Sequence, residues 1–221
     1  MIRVWLPDGS EHVHPRGACL GDAAKTLQPG MAGLAVCVCV DGEIRDLRDG
    51  LDKDCRLTFL TAASSEGARV VCHTAAHVVA HAATRVFPSA VLGGDPRNVD
   101  RFYVDLETDR GIKDGDLGRI QEEVERIVEQ DLPIERSTLS KGAAQSWLIR
   151  RGEVFKLEIL EKIDATTVTV YTQAEFSDLC GGPHLLSTGR LPKIRLTAVE
   201  EATWQSDRAG ERLQRLCGVL R

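Results

Sequence analysis

The first sixty residues alternate short apolar stretches with turn residues. Residues 2–6 place apolar and polar side chains in turn, which is the period of a half-buried strand, and the Asp-Gly pair at 8–9 is typical of a hairpin turn. Residues 18–27 have helical spacing instead, and residues 34–40 and 56–60 are predicted as further strands. This order fits a small ββαβ-type sheet with one helix lying across it.

The rest of the chain mixes the helical and the strand periods. Apolar residues recur at helical spacing over 66–86 and over 116–130, and a strand is predicted at 102–106 between them. Three later stretches are also predicted as strands, at 155–159, 166–171 and 193–198.

A small, polar stretch at residues 62–67 separates the two patterns and is expected to act as a linker, with Ser65 as the N-cap of the helix that follows. We therefore predict two domains, 1–62 and 63–221. The predicted fold class is α+β, with a small sheet domain followed by a larger domain that also mixes helices and strands.

Composition places the chain among ordinary folded proteins. Of its 221 residues 43% are apolar and 28% are charged, and 28 basic against 33 acidic side chains give a net charge of -5, which argues against nucleic-acid binding by charge alone. The longest apolar run, 34–40, is far shorter than the roughly 20 residues of a membrane helix. The seven cysteines form no CxxC pair. We expect a reduced, cytoplasmic chain with no secretion signal and no membrane partner.

The first motif that carries chemistry is a pair of histidines. His73 and His77 lie one helical turn apart, close enough to address one ligand, and His81 adds a further turn. The three form a stripe set apart from the apolar residues of the same helix, so they are not expected to be core histidines. Three partly exposed surface histidines are the alternative interpretation.

The second motif runs from Asp178 through Cys180 to His184. Gly-Gly-Pro separates the cysteine from the histidine, ends the preceding strand and allows a sharp turn, so that Cys180 and His184 can converge. With His73 and His77 they supply three imidazoles and one thiolate, the ligand set of a tetrahedral zinc site. The same four groups could instead activate a water without metal, with histidine as the base.

Together these motifs resemble the N-terminal half of bacterial-type threonyl-tRNA synthetases, in which a TGS domain precedes an editing domain called the second additional domain. The first part resembles TGS, a β-grasp fold, through Leu6-Pro7-Asp8-Gly9 and residues 57–61. The remainder resembles the editing domain through residues 73–77, 102–105, 132–136, 156–158 and 178–189.

The resemblance implies a function, namely hydrolysis of serine wrongly attached to threonine tRNA, in trans or as a fragment of the synthetase. It implies the tRNA 3′ aminoacylated end as partner and leaves Zn²⁺ open as a cofactor, since related alanyl editing domains bind zinc. It assigns catalytic roles to His73, His77, Lys156, Asp178, Cys180 and His184. From alternation alone Lys156 is a solvated strand lysine opposite Phe155, and the resemblance overrides that interpretation.

The sequence departs from the family pattern at three positions and in length. Gly181 stands where arginine is usual, Arg101 where glycine is usual, and His81 where another polar residue is common. The chain also stops about where a class II catalytic core is expected to begin, so we expect neither ATP-dependent activation of threonine nor anticodon recognition. The alternative function is a non-catalytic regulatory module that binds tRNA or protein. No oligomeric state is predicted.

Overall fold

The computed structural model describes residues 1–94, 101–204 and 210–221 and divides into two compact units. The first unit comprises residues 1–71 and 182–186, and the second comprises 72–181 and 187–221. Helices and sheets occur in both, which confirms the α+β fold class. Among the described residues, no helix combines the length and the apolar character that crossing a membrane requires.

A five-stranded sheet forms the base of the first unit. Its strands run in the order β2-β1-β5-β3-β4, with β1 and β5 parallel and the other pairs antiparallel. They are β1 (Ile2–Trp5), β2 (Glu11–His14), β3 (Ala35–Val40), β4 (Glu43–Arg45) and β5 (Cys55–Thr61). The predicted strands are confirmed. The sequence did not predict β4, because three mostly exposed residues are too few to display a period.

One helix, α1 (Leu20–Leu27), covers a face of this sheet. It buries Leu20 and the two alanines of its middle turn in the same apolar cluster as Leu57 and Phe59 of β5, which alternate with exposed residues along that strand. The buried side chains of the helix and of the sheet therefore pack in one core.

The long helix α2 (Ser65–Val86) begins with a side-chain cap. The hydroxyl of Ser64 accepts the N–H of Gly67 at 3.0 Å and donates to the carbonyl of Thr61 at 3.0 Å. The predicted cap, Ser65, is therefore wrong by one residue. The Ser65 hydroxyl bonds instead to the neighbouring Glu66 carboxylate at 2.8 Å.

The described residues of the second unit form two antiparallel sheets and, besides the continuation of α2, three further helices. The sheets have strand orders β10-β9-β8 and β11-β12-β7-β6. The strands are β6 (Val91–Leu92), β7 (Phe102–Glu107), β8 (Glu135–Ser140), β9 (Thr167–Gln173), β10 (Phe176–Leu179), β11 (Ile194–Thr203) and β12 (Arg212–Leu220). The helices are α3 (Asp114–Glu129), α4 (Lys141–Arg151) and α5 (Val154–Lys162). Short 3-10 turns lie at Pro29–Met31 and Thr188–Arg190.

The strand predicted at 155–159 is wrong, because these residues lie in α5. Gly152, with a φ of 70°, ends α4 in the left-handed conformation, and a new helix starts two residues later. The buried residues of α5 are Phe155, Lys156 and Leu160, a spacing that a strand would not bury on one face. Apolar alternation over so short a stretch does not distinguish the two structures.

Strand β12 occupies the interior of its sheet, paired with β11 on one side and β7 on the other. Gly218 of β12 leaves room for the ring of Phe102 on β7, since a Cβ at residue 218 would lie 2.2 Å from the ring. A glycine is therefore required where the two strands meet.

We predict that Ser64→Ala lowers the free energy of unfolding by about 1 kcal/mol, because it removes the side-chain cap of α2. Ser65→Ala is the matched control, and its effect should stay within about 0.5 kcal/mol. Urea unfolding followed by circular dichroism measures both. Equal losses in the two variants would show that Ser64 is not the cap.

Candidate functional site

A pocket of about 340 Å³ opens in the second unit. Its wall includes residues of α2, α5, β7 and β10 and the start of the loop that follows β10. The predicted site residues that line it are His73, His77, Lys156, Asp178 and Cys180. Side chains that are distant in sequence thus meet around one space.

Lys156 and Asp178 form an ion pair at the side of this pocket. The ammonium nitrogen lies 2.8 Å from Asp178 Oδ2, and the two side chains are only 4% and 12% exposed. Lys156 is therefore not the solvated lysine that strand alternation indicated. Helix α5 places it in the interior, where the carboxylate compensates its charge.

His73 and Cys180 contact each other directly. The sulfur of Cys180 lies 3.1 Å from Nε2 of His73. Cys180 is held from behind by β9, because its N–H donates to the carbonyl of Thr169 at 3.2 Å and its own carbonyl accepts the Thr169 hydroxyl. Strand β9 therefore holds the Cys180 backbone where its thiol contacts the His73 imidazole.

His184 is fully buried and lies in the segment that belongs to the first unit. The glycine turn that precedes it is confirmed, since Gly182 has a φ of 61°. The N–H of His184 donates to Asp46 at 3.3 Å, and Arg48 donates to the carbonyls of His184 and Leu185 at 3.1 and 2.7 Å. Asp46 and Arg48 also pair at 2.9 Å, so a buried ion pair holds the backbone on which His184 stands.

His73 and Cys180 offer a nitrogen and a sulfur atom, 3.1 Å apart, and both are of the kinds that zinc prefers as ligands. This part of the site is therefore compatible with zinc.

The expectation that the histidines stand clear of the core is wrong for two of the three. His73 is partly exposed, but His77 is 5% exposed and His81 is fully buried. Residues 70–83 of α2 are buried at every position except that of His73, so this part of the helix has no solvated face. A stripe away from the apolar arc therefore does not predict exposure here.

A glutamine partners both buried imidazoles. Gln173, itself fully buried on β9, has Oε1 at 3.3 Å from Nδ1 of His77 and Nε2 at 3.0 Å from Nδ1 of His81. The ring of Phe176 stacks on His81 at 5.2 Å between centroids and meets His77 edge-on at 4.9 Å. Burial lowers the pKa of His77 to about 4 and also lowers the pKa of His81.

Charged side chains connect His81 to the protein surface. Nε2 of His81 lies 3.0 Å from the Glu175 carboxylate, which is 60% exposed and also accepts from the Arg85 guanidinium at 2.6 Å. Arg85 in turn donates to Glu123 at 2.7 Å. Sequence reasoning missed Gln173 and Glu175, which belong to no motif and reach the histidines only through folding.

Tyr103, Asp105 and Arg215 form another part of the pocket surroundings. Tyr103 and Asp105 of β7 line the pocket. Arg215 of β12 donates to both oxygens of Asp105, at 2.7 and 2.8 Å, and its guanidinium lies 3.7 Å from the centre of the Tyr103 ring. Asp105 raises the pKa of Arg215, so the cation stays in place against both residues.

A groove of about 1160 Å³ shares Lys156 and Cys180 with the pocket. Gly181 lines it as well. Its other walls come from helix α5 and from strands β8, β9 and β10. Lys156 and Cys180 thus border two open spaces.

Two families match the chain in the order of its two parts. Residues 2–61 match the TGS domain, and residues 168–216 match the threonyl and alanyl tRNA synthetase second additional domain. The TGS match ends one residue before the predicted end of the first domain. The boundary after residue 62 itself stays a prediction.

Threonine–tRNA ligases match nearly the whole chain. It is 39% identical over 220 residues to the threonine–tRNA ligase of Symbiobacterium thermophilum and 37% identical over 219 residues to threonine–tRNA ligase 2 of Bacillus subtilis. Each match covers 99% of this chain and 34% of the relative. The chain therefore spans about a third of the length of these curated relatives.

We predict that Lys156→Met destabilises the protein by about 3–5 kcal/mol, because it leaves the Asp178 carboxylate buried without its ammonium. Lys156→Met/Asp178→Leu removes both charges and should recover most of that loss. Lys162→Met, at an exposed position of the same helix, is the control and should change little. Urea unfolding measures all three. A loss in Lys156→Met no larger than that in Lys162→Met would contradict a buried ion pair.

Proposed function

We propose that this chain, which combines a TGS domain with the second additional domain of threonyl and alanyl tRNA synthetases, hydrolyses the ester that joins serine to threonine tRNA. The observation that carries the proposal is the pocket in which two histidines, a lysine–aspartate pair and a cysteine come together. Ester hydrolysis needs a positioned water, a proton acceptor and donors for the developing oxyanion, and these residue types can supply all three.

The proposed reaction is direct attack by water. The water oxygen bonds to the ester carbonyl carbon, and the bond from that carbon to the ribose oxygen then breaks. The imidazoles of His73 and His77 orient the water, and one of them accepts its proton. The same proton passes to the departing ribose oxygen, so that free serine and uncharged tRNA leave the site.

Lys156 and Asp178 take complementary roles in this proposal. The ammonium of Lys156 offsets negative charge on the oxyanion and near the terminal phosphate. Asp178 binds the ammonium of the serine. A carboxylate has several acceptor positions, so the 2.8 Å contact with Lys156 leaves capacity for the substrate.

We assign Cys180 and His184 to the same proposed site as His73, as the two sequence motifs predict. When bound by these three residues, a zinc ion would supply Lewis-acid polarisation of the ester carbonyl. Without metal, the thiol of Cys180, 3.1 Å from Nε2 of His73, orients that imidazole for the water.

The proposed partner is the 3′ aminoacylated end of tRNA. A net charge of -5 gives the chain no general attraction for phosphate, so we expect weak binding that weakens further with salt. Recognition then depends on the single-stranded terminus and the amino acid more than on the tRNA body. Hydrolysis should therefore be limited by binding.

We predict that the chain deacylates seryl-tRNA faster than threonyl-tRNA, by about 10- to 200-fold if a tight wall rejects the additional methyl group. His73→Ala should slow the reaction by about 100-fold or more, because it removes a group that handles the water. His12→Ala, in the hairpin of the first unit, should have no effect. Release of radiolabelled amino acid measures these rates.

Equal hydrolysis of the two aminoacyl-tRNAs, or full activity of His73→Ala, would contradict the proposed function. Retained tRNA binding with no hydrolysis would favour the alternative, a non-catalytic binding module.

We also predict that the chain binds one zinc ion through His73, Cys180 and His184. Removing a ligand should weaken binding by more than the roughly 10- to 100-fold that loss of an outer-shell partner costs, so Cys180→Ser should reduce affinity at least that much. Isothermal titration with zinc chloride measures it. Cys217→Ser is the control, because Cys217 lies on β12 outside this group. Equal affinities in the two variants would exclude the site.

A further inference from the structure

We infer that the Gln173 amide sets the tautomer of His77, so that Nδ1 carries the proton and Nε2 presents its lone pair. Nε2 of His77 is then the atom that accepts a hydrogen bond from the attacking water. The catalytic part of this inference rests on the proposed function, whereas the tautomer itself does not.

Hydrogen bonds run from Glu175 through His81 and Gln173 to His77. Glu175 fixes which group donates in each of them. An ionised carboxylate can only accept, so the 3.0 Å contact with His81 Nε2 requires that this nitrogen carries the proton. Glu175 stays ionised, because the Arg85 guanidinium and then His81 hold the pKa of its carboxyl well below the usual range.

The protonation of His81 then decides which group donates in the hydrogen bond between His81 and Gln173. Its ring is fully buried, and burial lowers the pKa of the imidazole, so it is neutral with a single N–H. Because that N–H lies at Nε2, Nδ1 of His81 is an acceptor. The group facing it at 3.0 Å must donate, and only the NH₂ of the Gln173 amide can do so.

The orientation of the Gln173 amide in turn decides which nitrogen of His77 carries the proton. With its NH₂ toward His81, its carbonyl oxygen faces Nδ1 of His77 at 3.3 Å and can only accept. Nδ1 of His77 is therefore the protonated nitrogen, and Nε2 carries the lone pair. A carboxylate at the surface thus determines the hydrogen-bonding character of a ring that lines the pocket.

Packing keeps each group in this arrangement. Gln173 is fully buried, so its amide cannot exchange these partners for water. Phe176 contacts both rings, stacked on His81 and edge-on to His77. Arg85 holds Glu175 at the outer end with two contacts, at 2.6 and 3.1 Å. Gln173 is accordingly a positioning residue, since it acts through His77.

The tautomers can be measured without any substrate. Long-range ¹H–¹⁵N correlation spectra of the full chain labelled with ¹⁵N-histidine distinguish protonated from unprotonated ring nitrogens, and single-histidine replacements assign the six residues. In the unmodified chain we expect protonated Nδ1 in His77 and protonated Nε2 in His81. Protonated Nε2 in His77 would overturn the inference, and this readout requires no variant at residue 173.

Variants at residue 173 test the cause. Gln173→Met removes both hydrogen bonds at similar volume and should return His77 to the Nε2–H form that histidine favours in water. Gln173→Glu accepts from both rings, so His77 should keep protonated Nδ1 while His81 gains a proton there. An unchanged His77 tautomer in Gln173→Met would overturn the inference.

Deacylation kinetics test the consequence. Gln173→Met should lower kcat for seryl-tRNA by about 10- to 100-fold with KM unchanged, and Gln173→Glu should restore most of it. Gln145→Met, at an exposed position of α4, is the control and should leave both constants unchanged. Unchanged kcat in Gln173→Met would overturn the catalytic role of the tautomer. If the unmodified chain does not deacylate seryl-tRNA, the proposed function fails, while the spectra still decide the tautomer.

Discussion

A buried ammonium and a buried carboxylate must remain paired, because separating them leaves an uncompensated charge in a medium that solvates it poorly. Lys156 and Asp178 are under this constraint, with 2.8 Å between them and little exposure of either. The pair ties helix α5 to strand β10, the strand that leads directly into Cys180. Together with the two hydrogen bonds between Cys180 and Thr169 of β9, it therefore places the thiol relative to His73, and the pocket takes its shape from that placement.

The hairpin of β9 and β10 serves the histidines as well. Phe176 pairs with Gln173 at its closed end, across a two-residue turn in which Ala174 adopts a φ of 50°. Gln173 and Phe176 contact the rings of His77 and His81, while Asp178 lies two residues further along the same strand. One hairpin thus carries both the partner of the lysine and the partners of the imidazoles, so errors in its register would displace both.

Local patterns predicted the elements whose burial follows a single period. The alternation at residues 2–6 and the spacing of α1 are such cases, because each buries one face. The same reasoning failed for Lys156 and for His81, whose burial depends on Asp178 and Gln173. Charged and polar residues are buried only when they have ion-pair or hydrogen-bond partners. Here those partners are distant in sequence, so the spacing of apolar residues around Lys156 and His81 does not reveal them. The catalytic assignments remain predictions drawn from the resemblance.

Strand β12 determines how small an independent version of the second unit can be. The family match covers residues 168–216, yet β12 continues to Leu220 and pairs with strands on both sides. A fragment cut at residue 216 would lose about half of an interior strand and expose the edges of two neighbours to aggregation. It would also leave Arg215 one residue from a frayed terminus. Protein engineers who want a minimal domain should therefore keep the whole strand and let the sheet, rather than the family boundary, define its end.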